Sequence, residues 1–454
     1  MSQSTHTPER TRRLDALPFT SEHRRLLVGS GMGWALDAMD VGLISFIIAQ
    51  LTVQWKLSPS EASYIASIGF VGMALGATLG GLLADRLGRR QVFALTLLGY
   101  GAFTGLSALA WSVGALIVFR FLTGLGLGAE LPVASTLVSE FAPPRIRGRI
   151  VVILESFWAI GWTLSAVIGF LVVPRGDDGW RWALALGAVP ALYAVVVRMR
   201  LPESVRFLES RGRYAEAEQV VQRFERAAGS ERVPLPQGDA IGAESEGSAA
   251  PAQSFGARIA ALWARPLRRR TAAIWVVWFL VNFSYYGAFI WLPSLLYASG
   301  FSLVRSFGYT LLITLAQLPG YAASALLVER WGRRRTLATF LVGSAAAAGL
   351  FAAASGTAMV LTAGMLLSFF NLGAWGVLYA VTPELYPTRL RGTGSGWAAG
   401  VGRIASVLAP LAVPLLREAG GTGLLFAVFA AVFVVAALVS LALPELRGKA
   451  LSDD

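Results

Sequence analysis

The sequence contains no cysteine and only two histidines, and just 15% of its 454 residues are Asp, Glu, Lys or Arg. Without cysteine there is no disulfide, no thiolate nucleophile and no sulfur ligand for a metal. Both histidines, His6 and His23, precede the first long apolar run, which removes imidazole from any catalytic or metal site inside a bilayer. No phosphate-cradling loop of the form G-x-x-x-x-G-K-[ST] occurs, so ATP is excluded as a direct energy source. No cofactor and no metal are expected. The opening segment is polar and lacks the pattern of a cleaved signal, leaving the first apolar run to direct insertion.

What fills the place of the missing charge is apolar surface, 55% of the residues, where a soluble chain carries roughly 25% charged ones. A bilayer span needs about 20 mostly apolar residues. That window fits twelve times, over 27–50, 62–83, 91–110, 114–138, 150–173, 181–199, 272–296, 306–328, 335–354, 358–381, 396–416 and 422–443. Unpaired backbone is too costly in hydrocarbon for these runs to be anything but helices. A large soluble enzyme with buried helices is the alternative, and these spans leave no room for a sizeable soluble domain. The expectation is an all-α membrane protein of twelve transmembrane helices.

The formal net charge of +12 could suggest nucleic acid, but its placement points to topology instead. With the amino terminus inside, only Lys56, Arg175, Arg181, Arg305 and Arg417 fall outside, and Arg120 and Arg403 lie within spans. The remaining basic residues are all cytoplasmic, as the positive-inside rule requires. Both termini are therefore expected in the cytoplasm, and no nucleic-acid partner is expected.

An internal repeat sets the architecture. Gly81-Leu82-Leu83-Ala84-Asp85-Arg86-Leu87-Gly88-Arg89-Arg90 returns as Ala325-Leu326-Leu327-Val328-Glu329-Arg330-Trp331-Gly332-Arg333-Arg334. At the same offset, Glu140, Pro143, Arg147 and Gly148 answer to Glu384, Pro387, Arg391 and Gly392. Two six-helix bundles with pseudo-symmetry follow, the plan of a transporter that rocks around a central site. The expected divisions are a cytoplasmic tail 1–26, a first bundle 27–200, a cytoplasmic linker 201–270, a second bundle 271–443 and a tail 444–454. Within the linker, 203–228 is expected to be a charged helix packing through Val205, Leu208, Val220, Val221 and Phe224, and 229–256 a flexible stretch. Arg265 to Arg270 anchor the seventh span on the inside.

The 81–90 segment resembles the signature loop of the major facilitator superfamily, and the repeat at 325–334 strengthens that resemblance. The superfamily reading covers essentially the whole chain apart from tail and linker. It implies conformational gating by Gly81, Asp85, Arg86, Gly88, Arg89, Glu140, Arg147, Glu329, Arg333, Glu384 and Arg391. The other reading of the loop is a basic turn that only fixes topology. Arg120 through Glu140 to Gly148, Pro202-Glu203-Ser204 with Arg206, and Pro444-Glu445 are similar to sugar porters. The seventh span departs from them, with Leu280 and Val281 in place of a glutamine pair. Its Asn282-Phe283-Ser284-Tyr285-Tyr286-Gly287 is instead similar to organic anion transporters. Trp34 to Asp40, Glu130 to Glu140 and Leu154-Glu155-Ser156-Phe157-Trp158 resemble bacterial niacin transporters, which implies uptake of a small aromatic carboxylate.

Ionisable residues inside a span are functional candidates by default. Asp37 and Asp40 are i and i+3 on one helix face, an arrangement suited to carrying a proton. By resemblance to sugar porters, Asp40 couples protons with Arg120 as its partner. The alternative is a permanent salt bridge that only joins helices, and the role of Asp37 stays open. Arg403 occupies the place of an anion-attracting arginine in organic anion transporters. A guanidinium fork suits a carboxylate, although pairing with Glu155 or Asp37 would also satisfy it. Glu155 aligns with a sugar-contacting glutamine, Trp162 with a second such position, and Glu130 is expected to make a structural hydrogen bond. Tyr286 and Tyr379 lead the aromatic substrate candidates, followed by Trp158, Trp375, Asn371 and Tyr285. Packing is the other use of such rings.

Taken together these readings predict a monomeric, proton-coupled importer of a nicotinate-like organic anion in the inner membrane, its partners being the anion, the proton and membrane lipid. A sugar:proton symporter and a non-transporting membrane sensor on the same fold are the alternatives, and a membrane enzyme is a weaker third.

Overall fold

The computed structural model describes residues 9–229 and 255–445. His6, most of the 229–256 stretch and residues 446–454 lie outside the described residues, as do the side chains of Gly81, Asp85 and Gly148. In chain order the helices are α1 (Glu9–Asp15), α2 (Ser21–Gln54), α3 (Pro59–Leu87), α4 (Arg89–Ser107), α5 (Val113–Phe141) and α6 (Arg147–Leu171). There follow α7 (Gly179–Leu186), α8 (Val189–Arg200), α9 (Val205–Ser210), α10 (Tyr214–Ala227), α11 (Phe255–Leu262) and α12 (Arg268–Ala298). The series closes with α13 (Leu303–Leu315), α14 (Gln317–Trp331), α15 (Arg333–Ala352), α16 (Thr357–Glu384) and α17 (Thr388–Ser440). Nine helical segments among the described residues are long and apolar enough to cross a membrane. The last of these breaks at Gly420 and Gly421 into two spans. With α3 and α4 beside them, the twelve expected spans are all helical.

Several boundaries differ from the sequence expectation. The first span starts at Ser21, because Thr20 and His23 form a reciprocal cap there. The tail ahead of it holds α1, whose Arg10 and Arg13 pair with Glu209, Glu218 and Glu225 of α9 and α10. The linker helix is two helices, since Gly212 turns the chain at a φ of 70°. Val205, Leu208, Val221 and Phe224 are buried as expected, and Val220 is half-buried. The sixth span breaks at Gly187 and Ala188, and the eighth at Ala316.

Small residues let the helices meet backbone to backbone, the usual way for membrane helices to gain packing. A Cβ on Gly128 of α5 would lie 1.9 Å from the Met73 carbonyl oxygen of α3, and one on Gly161 of α6 1.9 Å from that of Ala35 on α2. Between the first six spans and the last six, contacts join α2 to α12, α3 to α17, and α6 to α13 and α16.

The repeat is reproduced in atomic detail on the basic face. Gly88 and Gly332 turn at φ of 98° and 92° between α3 and α4 and between α14 and α15. The Glu203 carboxylate accepts from the Arg90 amide, and Glu445 accepts from those of Arg333 and Arg334. A carboxylate thus caps the helix that follows each turn. Gly88→Ala is expected to cost about 1–3 kcal/mol, because alanine disfavours that backbone region. The new Cβ would also meet Glu203 Oε2 at 2.5 Å. Thermal unfolding in detergent should show a clear loss for Gly88→Ala and none for Gly99→Ala, where nothing lies within 4 Å.

Candidate functional site

The charged candidates of the first half converge between α2, α4 and α5. Asp40 and Arg120 form an ion pair of 2.9 Å with both side chains almost fully buried. The Thr104 hydroxyl donates to the other Asp40 oxygen at 2.6 Å, and Thr123 lies 3.4 Å from Thr104. One turn away on α2, Asp37 faces Tyr100 of α4 and Glu130 of α5. The expected structural hydrogen bond of Glu130 has no donor among the described residues. Glu130 is directed instead at Gly33, where a Cβ would be 2.8 Å from its Oε1.

The second convergence joins the two halves through rings. Tyr285 and Tyr286 of α12 pack at 5.0 Å, and Trp375 of α16 lies 5.1 Å from the former and 6.0 Å from the latter. Trp162 of α6 reaches Tyr285 at 5.3 Å, and the Trp158 indole N–H donates to the Tyr285 hydroxyl at 3.3 Å. Phe70 of α3 meets Tyr286 at 4.6 Å. Tyr379 sits one turn along α16 and packs against Trp278 at 4.9 Å. Tyr285, Tyr286, Trp158, Trp162 and Trp375 are all buried, so the centre is shut in this state. Phe46 and Phe307 meet at 5.3 Å across α2 and α13, at the face opposite the glycine turns.

Polar groups line this ring cluster. Arg403 of α17 reaches the Tyr286 hydroxyl, and no carboxylate closes an ion pair with it among the described residues. The charges of Glu155 and Asp37 bear on it from the first half. Glu155 is buried away from solvent, and its Oε2 has no hydrogen-bond partner among the described residues. Asn371 is fully buried, and neither of its side-chain polar atoms has a hydrogen-bond partner among the described residues. A ligand that offers hydrogen-bond partners to such buried polar groups gains by doing so.

Sequence reasoning missed Gln317. It opens α14 at the break in the eighth span, is fully buried, and meets the Tyr285 hydroxyl as its one polar neighbour among the described residues. A lone amide in the middle of an apolar run was the available signal. Trp34, 5.1 Å from Trp158 and beside Glu155, and Trp278 were missed as well. Asn282, by contrast, is spent on structure. It donates to the Trp278 carbonyl at 2.7 Å and accepts from Ser406 of α17.

The gating candidates lie together on the basic face, but their described ion pairs stay within each half. Arg89 approaches Glu140 at 3.7 Å, and Arg333 pairs with Glu384 at 3.0 Å and with Glu329 at 3.7 Å. Arg147 pairs with Asp15 at 2.9 Å and bonds the Ala142 carbonyl, while its counterpart Arg391 bonds the Pro383 carbonyl. Glu140 also accepts from the Ser204 hydroxyl, and the Arg86 carbonyl from Arg211.

Known proteins fit this arrangement. A family model described as sugar (and other) transporter matches residues 28–453. The niacin transporter NiaP of Acinetobacter baylyi is 46% identical over 441 residues, spanning 97% of this chain and 98% of that protein. A Bacillus subtilis protein named putative niacin/nicotinamide transporter NiaP is 45% identical over 426 residues, spanning 94% and 96%. The xylose transporter XylE from Escherichia coli, solved in a partially occluded inward-open conformation, superposes with a TM-score of 0.75. It is 19% identical and covers 95% of this chain and all of its own, a likeness of fold alone. The helical architecture, the repeat and these matches agree that the chain is a multi-pass membrane transporter, not an enzyme, and belongs to the sugar (and other) transporter family of the major facilitator superfamily.

Proposed function

We propose that this transporter carries a small aromatic or heteroaromatic carboxylate, nicotinate first, into the cell together with a proton. The observation that carries the substrate class is the placing of Arg403 against Tyr286 inside a box of indole and phenol rings. A flat ring stacks among Tyr285, Tyr286 and Trp375, and its carboxylate takes two N–H bonds from the guanidinium. Gln317 and Asn371 then offer amide donors to the ring nitrogen. The niacin transporter among the relatives supports the same reading. A sugar would find neither a use for a free guanidinium nor the glutamine pair that sugar porters carry.

Coupling runs through Asp40. Outward-facing, it is ionised against Arg120; protonation releases that pair while the substrate engages Arg403. The six-helix groups 27–200 and 271–443 then rock about the site, with 201–270 and its basic flanks on the cytoplasmic side of the inner membrane. The proton leaves to the more alkaline cytoplasm. Ion pairs such as Arg89–Glu140 and Arg333–Glu384 keep each group rigid, so that ring contacts between groups, Phe46–Phe307 among them, are what break and re-form. The transporter works as a monomer. Uptake of labelled nicotinate into vesicles should be competed by benzoate and unlabelled nicotinate but not by glucose. Competition by glucose alone would replace this reading with sugar symport.

A further inference from the structure

Four carboxyl groups and two guanidinium groups occupy the interior of the membrane domain among the described residues: Asp37, Asp40, Glu130 and Glu155 against Arg120 and Arg403. Arg120 is committed to Asp40. Arg403 is the cation nearest in influence to Glu155. That leaves Asp37 and Glu130 facing each other across α2 and α5 with no cation of their own. Both are at least 99% buried by accessible surface (1% and 0% exposed), and among the described residues the Tyr100 hydroxyl is the one donor that reaches Asp37, with none reaching Glu130. Two ionised carboxylates in that position would repel each other in a low dielectric with nothing to compensate them. A proton between them removes the repulsion and gives Glu130 a donor at once.

We infer that Asp37 and Glu130 share a proton and form a second protonation site one helical turn from the Asp40–Arg120 pair. The groups facing it are Asp40 on the same helix, Tyr100 from α4, Tyr193 from α8 and, at longer range, Arg403 from α17. Arg403 is the link to substrate. A bound carboxylate neutralises the charge that Arg403 presents to Asp37, and so tightens the hold of the pair on its proton. The use of this site in coupling rests on the transport reading above; the existence of the shared proton does not.

Infrared spectroscopy of the purified full-length protein without substrate separates the two. Wild type at neutral pH should show the carbonyl stretch of buried protonated carboxylic acid, shifted in heavy water. Asp37→Asn and Glu130→Gln should each remove a component of it, and the glutamine amide should keep the fold by donating to Asp37. A wild-type spectrum without protonated carboxyl, or a band that neither substitution diminishes, overturns the proposal. The role in coupling is read in vesicles holding a pH-sensitive dye. Glu130→Gln should lower the protons moved per nicotinate while leaving nicotinate affinity within about twofold of wild type. An unchanged proton count overturns the coupling role whatever the spectrum shows, and failure of wild type to carry nicotinate would sink the substrate reading while leaving the infrared result standing.

Discussion

Asp40→Asn abolishes accumulation of substrate against a gradient, on this account, while exchange of substrate across the membrane persists. Arg120 and Asp40 meet at 2.9 Å with both side chains out of water, and removing one member of such a pair costs about 3–5 kcal/mol when the remaining charge is left uncompensated. Asparagine keeps the shape and the oxygen that accepts from Thr104, but it cannot be ionised. It therefore imitates the protonated state permanently. A carrier locked in that state rocks with substrate in both directions, yet has no proton cycle to drive it one way. Counterflow and net accumulation, measured side by side in the same vesicles, distinguish this from a bridge that only ties helices together. Loss of both in proportion to a fallen melting temperature marks a structural bridge, and retained pH-driven accumulation removes Asp40 from coupling altogether.

Arg403→Ala should weaken binding of nicotinate far more than of nicotinamide. Truncating one partner of a desolvated charge pair costs about 2–4 kcal/mol, or tens- to several-hundred-fold in affinity. Nicotinamide has the same ring and no negative charge, so it should lose less than about fivefold, the part that comes from the contact of Arg403 with Tyr286. Arg403→Lys should restore only part of the loss, because an ammonium cannot reproduce the planar fork. Tryptophan fluorescence titration is a natural readout, with Trp158, Trp162 and Trp375 all in the ring cluster. Equal losses for acid and amide would make Arg403 a structural residue.

The parts of this architecture that were legible in the sequence are those fixed by local pattern or repetition. Apolar runs of bilayer length mark the spans, and the repeated Gly-Arg-Arg loops mark the pseudo-symmetry that Gly88 and Gly332 display with nearly equal φ. The pairing of Asp40 with Arg120 is legible through their resemblance to sugar-porter positions, and the two side chains meet at 2.9 Å. Other features depend on neighbours distant in sequence. Glu130 reads as one acid in an apolar helix until Asp37 is found opposite it. Gln317 matches no motif, and its meaning comes from Tyr285 and the break at Ala316. The early start of α2 has no ordinary sequence signature, because His23, not the usual Glu or Gln, completes its cap. The break in the linker helix turned on Gly212, a single residue in a stretch whose apolar spacing suits one continuous helix.

The claim at the centre of this account is that an inward proton gradient drives an aromatic carboxylate through a site built on Asp40, Arg120 and Arg403. Purified protein reconstituted into vesicles, acidic outside and alkaline inside, tests it with labelled nicotinate as the probe. The account predicts accumulation above the outside concentration that collapses when a protonophore is added and is absent in Asp40→Asn vesicles. Uptake that merely equilibrates, indifferent to the pH gradient and to the protonophore, would contradict it.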